Sequence, residues 1–299
     1  MSAPSARAVE LPMPPLAIGL TLMAFAFFSM LDASAKWLVT GGQVVIFVVW
    51  VRFLVQALLL LVMYRGWSNR RLWAMEQPVL QIIRGLLLPT MTFFNFLALQ
   101  YLQLAETISV LLAAPIVVAA LAGPMLGEWA GPRRWAAIFV GFIGVLIVVR
   151  PGTAVFDWPV VYIIICMLAY SVYLLLTRKL AATETPESLI FYSCFFAAIL
   201  FAPFAIPEAA MPVRASDWFA FGLAGVAGMV GHMLIIRVGR MADASKTTPF
   251  IYTQIIWMTG IGYLLFGDVP DGWTLAGMVV IAGSGLYLMI RERQLRKNP

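Results

Sequence analysis

The sequence predicts an all-α integral membrane protein with ten transmembrane helices, and two observations lead to this fold class. The first is composition: 62% of the 299 residues are hydrophobic and 11% are charged, with a mean hydropathy of +0.92, whereas about a quarter of an ordinary soluble domain is charged. The second is that apolar runs of roughly 20 residues, the length that crosses a bilayer, recur along the whole chain. No stretch is left that could form a sizeable soluble domain.

The apolar runs predict the spans in chain order. They lie at 16–38, 43–64, 78–99, 105–126, 134–149, 158–177, 186–206, 217–236, 247–266 and 272–290. The first run is followed by Ala33-Ser34-Ala35, which resembles a signal-peptidase site. Because Asp32 and Lys36 flank these small residues and the run is long for a signal peptide, we expect it to remain as a helix.

Basic residues are distributed unevenly between the two sides of the predicted bundle. If the N-terminus is cytoplasmic, 15 Lys and Arg residues fall on the inside, three on the outside (Lys36, Arg150 and Arg214), and Arg52 and Arg84 lie within spans. This bias follows the positive-inside rule and predicts that both termini are cytoplasmic. Because the charges are spread over many loops, we expect no nucleic-acid partner despite a pI near 9.5.

The two halves of the chain resemble each other. Gly127-Glu128 after the fourth predicted span matches Gly267-Asp268 after the ninth, at an offset of 140 residues, and a glycine-bearing span follows each pair. We therefore predict one repeat at 1–150 and a second at 151–299. Since each half would hold five spans, the second half would enter the membrane in the opposite sense, an arrangement typical of alternating-access transporters.

Short motifs in both halves carry a family resemblance over nearly the whole chain. They are 30–33 (MLDA) with Lys36, 50–53 (WVRF), 84–86 (RGL), 249–254 (PFIYTQ), 266–270 (FGDVP) and 283–287 (GSGLY). Together they resemble the drug/metabolite transporter superfamily, EamA type. The resemblance implies a five-plus-five helix fold around a central cavity in a bacterial inner membrane. It also implies small-molecule substrates such as amino acids, related metabolites or drugs, which are commonly exported.

Charged residues within spans are costly and therefore mark candidate functional positions. Asp32 and Lys36 are four residues apart on one helix face, so we expect them to neutralise each other as a structural or gating ion pair, or to meet substrate or a coupling proton. Arg52 either is held by backbone carbonyls or Asp32, or binds a substrate carboxylate. Arg84 suits snorkelling towards the membrane surface.

Further gating or coupling candidates lie in the third, fourth and eighth spans. His232 either relays protons or is a hydrogen-bonded core histidine. Pro89 and Pro115 interrupt their spans near the middle and are candidate bending points. Glycines at every third position of the eighth span, at 222, 225, 228 and 231, either bend that helix or allow close packing.

A polar and aromatic group near mid-depth predicts the substrate site, because ring faces pack an apolar moiety while hydroxyl and amide groups fix a polar head. Its members are Asn95, Thr92, Tyr170, Tyr173, Tyr252, Gln254 and Trp257. The alternative for each aromatic residue is packing in the core or against lipid. Cys166 and Cys194 lie in apolar runs without metal-ligand spacing, so we expect two packed thiols, no metal and no cofactor.

These features predict a secondary transporter that exports neutral or aromatic amino acids, or related metabolites, by alternating access. Uptake or facilitated diffusion of another metabolite is the nearest alternative. A membrane enzyme lacks support, because the sequence offers one histidine, no HExxH and few carboxylates near the spans. A non-catalytic assembly or lipid-handling subunit stays open, because fold does not dictate function. The expected partners are the lipid bilayer and a small-molecule substrate.

Overall fold

The chain folds into a bundle of helices, seen in a computed structural model that describes residues 14–127, 131–151, 158–212, 214–241 and 247–297. Every regular element in this part of the chain is helical. The α-helices are α1 Pro15–Thr40, α2 Val45–Met63, α3 Pro78–Leu99, α4 Leu104–Leu111, α5 Ala114–Leu126, α6 Pro132–Val149, α7 Val160–Leu180, α8 Pro186–Ala205, α9 Ala215–Gly239, α10 Gln254–Phe266 and α11 Gly272–Lys297. A 3₁₀ helix, Thr248–Thr253, leads directly into α10.

The predicted fold class is confirmed. Nine helical segments in the described residues are long and apolar enough to cross a membrane, with α4 and α5 together forming one and the 3₁₀ helix with α10 another. The shorter apolar helix Trp135–Val149 lies where the fifth span was predicted. Proline occupies the first turn of α1, α3, α6 and α8, where its missing N–H costs nothing and its fixed φ suits a helix.

The two candidate bending prolines behave differently. The fourth span breaks at Leu112–Ala113, just before Pro115, because proline lacks an N–H for the carbonyl of Leu111 and its ring crowds that carbonyl. Ser171 of α7 donates a hydrogen bond to the Ala114 carbonyl beside the break, at 3.4 Å. Helix α3, by contrast, runs unbroken from Pro78 to Leu99 through Pro89, so the expected interruption of the third span is not present.

Helix α9 packs along α1 and α2 through its glycines. A Cβ on Gly225 would meet Val55 at 2.5 Å, and a Cβ on Gly231 would meet Phe28 at 2.6 Å. Gly222 faces open space. Helix α9 is continuous over 25 residues, and Gly225 and Gly231 allow its close approach to α2 and α1.

Helices from the two halves of the chain alternate in space. Helix α1 packs along α9, α3 along α7, α2 against α8, and α6 against α11. The core of buried apolar side chains runs between these pairs. One end of the bundle holds Asp268 and the end of α1, and the other holds Glu184 and the start of α3; they are called the Asp268 end and the Glu184 end below.

Candidate functional site

In the middle of the bundle, two side chains of helix α3 each form a hydrogen bond with a buried charged residue of a neighbouring helix. Asn95 Nδ2 donates to Asp32 Oδ1 of α1 at 2.9 Å, and Arg52 Nη1 of α2 donates to Thr92 Oγ1 at 2.8 Å. Asn95 and Thr92 are three residues apart and so share one face of α3. All four side chains are buried. The structure thus brings together four residues that the sequence singled out, called the central polar cluster below.

Asp32 and Arg52 interact electrostatically without forming a direct ion pair. The Arg52 guanidinium lies over the ring of Phe53, 4.3 Å from its centroid, and such cation–π contacts stabilise a cation away from water. The hydrogen-bond partner of this arginine is thus a threonine hydroxyl, an aromatic face lies beside it, and Asp32 interacts with it only through space. The cluster presents one carboxylate and one guanidinium at membrane depth.

Lys36 does not neutralise Asp32, contrary to the expectation from their spacing. Its Nζ lies 2.6 Å from Asp268 Oδ2 and donates to the Leu102 carbonyl at 3.1 Å. The same ammonium lies 5.0 Å from the centroid of the Phe266 ring. Three segments far apart in the sequence thus meet on Lys36 at the Asp268 end of the bundle.

A second ion pair lies at the Asp268 end. Arg150, which directly follows α6, has Nη1 2.7 Å from Oδ2 of Asp271, which precedes α11. Hydrogen bonds from Thr274, together with the Arg150 guanidinium, hold the pKa of the Asp271 carboxyl below its usual value. Both ion pairs join a residue of the first half of the chain to one of the second half.

Arg84 is buried with only 2% of its surface exposed, so the expected snorkelling does not occur. Its Nε donates to Thr177, Nη2 to the Tyr173 hydroxyl, and Nη1 to the Ser193 hydroxyl and the Leu189 carbonyl, at 2.7 to 3.2 Å. These neutral acceptors from α7 and α8 replace water around the cation and so lower the free-energy cost of burying it. Tyr173, predicted to line the substrate site, is a partner of Arg84.

The other predicted aromatic site residues are more scattered. Tyr170 stacks on Tyr173 with centroids 6.3 Å apart. Tyr252 is buried against Gly285, and its hydroxyl has no hydrogen-bond partner. Gln254 is buried at the start of α10, whereas 40% of Trp257 is exposed. No hydrogen bond or ring contact in the described part of the chain joins these last three residues to the Asp32–Asn95 pair.

His232 lies one helical turn beyond Gly228 on α9 and packs edge-on against Phe28 of α1, with centroids 5.1 Å apart. Phe28 in turn lies one turn from Asp32 on α1. The Phe28–His232 contact therefore borders the central polar cluster on the side towards the Glu184 end. Cys166 and Cys194 are free, buried thiols.

Glu184, which was not identified from the sequence, connects two loops at the end of the bundle opposite Lys36. One carboxylate oxygen accepts the backbone N–H groups of Glu76 and Gln77, each at 2.8 Å. Gln77 also donates to Thr183 at 3.0 Å. These bonds connect the loop before α3 to the loop after α7. The contacts of Lys36 and those of Glu184 thus lie at opposite ends of the bundle, with the buried central polar cluster between them.

Comparison with known proteins agrees with this architecture. The model of the EamA-like transporter family matches residues 15–150 and 157–291. A solved crystal structure superposes with a TM-score of 0.63 at 20% identity, covering 94% of this chain and 98% of the other; this shows the shared fold.

The chain is also similar to transporters whose substrates are named. The chain is 28% identical to the S-adenosylmethionine uptake transporter of Rickettsia felis over 292 residues, 93% of each protein. It is 26% identical to the riboflavin transporter of Rhizobium johnstonii over 200 residues, 65% of this chain and 64% of the relative. Neither name specifies amino acid export. The chain therefore belongs to the EamA-like transporter family and is a multi-pass membrane transporter of small molecules, not an enzyme.

Proposed function

We propose that this transporter moves zwitterionic metabolites with an α-amino acid head group, by alternating access around the central polar cluster. The observation that carries the proposal is the burial of one carboxylate, Asp32, and one guanidinium, Arg52, beside each other without a direct ion pair. Isolated charges at membrane depth are expensive and are retained where they bind a substrate or ion. An ammonium group fits Asp32, and a carboxylate fits Arg52.

The rest of the substrate would occupy the aromatic side of the bundle. The stacked rings of Tyr170 and Tyr173 lie on α7, which packs against α3 and hence against the helix that carries Asn95 and Thr92. Such faces suit an apolar or planar side group. S-adenosylmethionine and aromatic amino acids both combine this character with an α-amino acid head. Export of neutral or aromatic amino acids is the specific form of the proposal, and uptake of S-adenosylmethionine is its alternative.

Alternating access would follow from an inverted repeat of 1–150 and 151–299. Helices α5 and α10 each have 13 residues and begin 140 residues apart; α6 and α11 begin with the same offset. Left-handed glycines end both α5 and α10, Gly127 at φ 75° and Gly267 at φ 70°. The packing of α1 on α9 also mirrors that of α7 on α3. These likenesses support two related halves that rock about a site between them.

We also propose a bacterial inner-membrane location with both termini and the Glu184 end cytoplasmic, which the distribution of basic residues supports. Ser68 lies exposed in the loop before α3, and Ala209 lies exposed after α8 at the opposite end. In a background without Cys166 and Cys194, a membrane-impermeant maleimide applied to intact cells should label Ala209→Cys and spare Ser68→Cys. The reverse pattern would overturn the orientation. Ala154, another residue suited to this test, lies outside the described residues.

The function is tested by counterflow in proteoliposomes that contain only this protein. Vesicles preloaded with L-phenylalanine, L-tryptophan, L-leucine, S-adenosylmethionine or riboflavin would take up the labelled compound from outside. We expect flux of at least one compound with an α-amino acid head and none of riboflavin. Flux of riboflavin alone would contradict the head-group proposal, and flux of nothing would favour an assembly subunit. Direction is then read from cells, since overproduction raises tolerance to an exported compound and lowers it for an imported one.

A further inference from the structure

Polar atoms without partners face one small region of the central polar cluster. Arg52 and Gln56 lie one turn apart on α2, with 5% and 0% of their surfaces exposed. Arg52 Nη1 is bound by Thr92, but Arg52 Nε has no hydrogen-bond partner, and neither has Nε2 or Oε1 of Gln56. Buried polar atoms in native proteins are nearly always bonded. Three unsatisfied atoms on one helix face therefore indicate a place for an occupant.

The wall opposite these atoms is Gly228 of α9. A Cβ added there would lie 3.3 Å from Gln56 Oε1, 3.6 Å from Arg52 Nε and 2.9 Å from Leu31 Cδ1. Both polar side chains thus point at the backbone of Gly228, where any larger residue would crowd them. With no side chain at position 228, the polar atoms face only backbone across this contact, and they are buried in this conformation.

We propose that Arg52, Gln56 and Gly228 form the subsite that receives the substrate's carboxylate. The proposal rests on the function proposed above and assigns one half of the head group to named atoms. A carboxylate accepts hydrogen bonds through two oxygens, and Arg52 Nε–H and the Gln56 amide N–H are the two free donors. The guanidinium supplies the opposite charge. Gln56 Oε1 and the Asp32 carboxylate remain as acceptors for the neighbouring ammonium group.

This subsite makes Gln56 and Gly228 specificity-determining residues. A decarboxylated amine would leave the two donors buried and unsatisfied, and sites built to hydrogen-bond a group reject analogues that lack it. The wild-type protein should therefore prefer an amino acid to its amine by at least about tenfold in apparent affinity, the factor expected when a charge-assisted hydrogen bond is lost. A subsite that held only a buried water would show no such preference.

The test compares acid and amine as competitors of counterflow in proteoliposomes. The pairs are L-phenylalanine with phenethylamine, and S-adenosylmethionine with its decarboxylated form. Gly228→Ala narrows the space beside both polar side chains, and Gln56→Leu removes one donor together with its unsatisfied atoms. Gly222→Ala is the matched control, because it adds the same methyl group to the same helix where nothing lies within 4 Å. Chromatography establishes that each variant is monodisperse.

We expect the acid-to-amine preference to fall towards unity in Gly228→Ala and Gln56→Leu and to stay at the wild-type value in Gly222→Ala. Gln56→Leu also guards against misfolding, since exchanging an unsatisfied amide for an apolar group of similar size should not destabilise the bundle. If the wild type carries these compounds but both folded variants keep its preference, the subsite is wrong while the proposed function stands. If the wild type carries neither pair, the proposed function and the subsite fail together.

Discussion

Replacing Asp32 by Asn should reduce substrate affinity roughly ten- to a hundredfold, because a hydrogen bond to a charged group contributes about 1.5–3 kcal/mol. The substitution retains an oxygen that can accept the hydrogen bond from Asn95 Nδ2, now at 2.9 Å from the carboxylate. It removes only the charge that would hold an ammonium group. The measurement is apparent affinity and maximal flux in proteoliposomes. Glu208→Gln, an exposed change in the loop after α8, is the control and should behave as wild type.

A loss of transport in Asp32→Asn could also come from leaving Arg52 as a buried cation without a nearby carboxylate. The double variant Asp32→Asn, Arg52→Gln tests the stability cause through its melting temperature, and affinity measured on folded Asp32→Asn tests the binding cause. If the effect were only on stability, Asp32→Asn would show normal apparent affinity at a temperature where it is folded, and the double variant would recover its melting temperature. If Asp32 binds the substrate, as proposed, the apparent affinity of the folded Asp32→Asn protein stays low even at that temperature. Normal affinity in a folded Asp32→Asn protein would show that the Asp32 carboxylate does not bind the substrate.

The sequence predicted the spans well because the signal for a span is local. An apolar run of the right length must satisfy its own backbone hydrogen bonds as a helix in lipid, and this requirement acts on each run independently. The break before Pro115 was foreseen for the same reason, since the missing N–H and the ring clash involve only neighbouring residues. Pro89 shows that such a local signal is not always decisive, because α3 stays continuous through this proline while packed against α7 and α8.

The site could be predicted only in part, because its contacts join distant residues. Spacing on one helix suggested Asp32 with Lys36, yet Lys36 pairs with Asp268, which lies 232 residues away in the sequence. No local sequence pattern indicates that Lys36 pairs with Asp268 and not with Asp32, which lies one helical turn away. Gln56 was missed although its spacing from Arg52 places both on one face of α2. A polar side chain one turn from a buried arginine was the signal available for finding it.

Arg84 is the buried side chain whose loss should most affect stability. It donates hydrogen bonds to side chains or backbone of Tyr173, Thr177, Leu189 and Ser193, and so fastens α3 to α7 and α8. Thr177 and Ser193 also donate to carbonyls of their own helices, so they keep one bond each when the arginine is removed. The loss of stability on removing Arg84 therefore comes from the cavity and the lost charge-assisted hydrogen bonds, and less from acceptors left without a donor.

Arg84→Leu should accordingly destabilise the protein by about 2–4 kcal/mol, which corresponds to a fall of roughly 3–6 °C in melting temperature for a chain of this size. Arg84→Lys should recover only part of the loss, since an ammonium cannot reproduce the planar fork that reaches both α7 and α8. Arg70→Gln, a change at an exposed arginine on the Glu184 end, should melt within a degree or so of wild type. The measurement is thermal unfolding in detergent, paired with flux at a temperature where every variant is folded. A stable Arg84→Leu protein that has lost transport would instead show that this guanidinium acts in transport, because removing a purely structural arginine lowers the melting temperature.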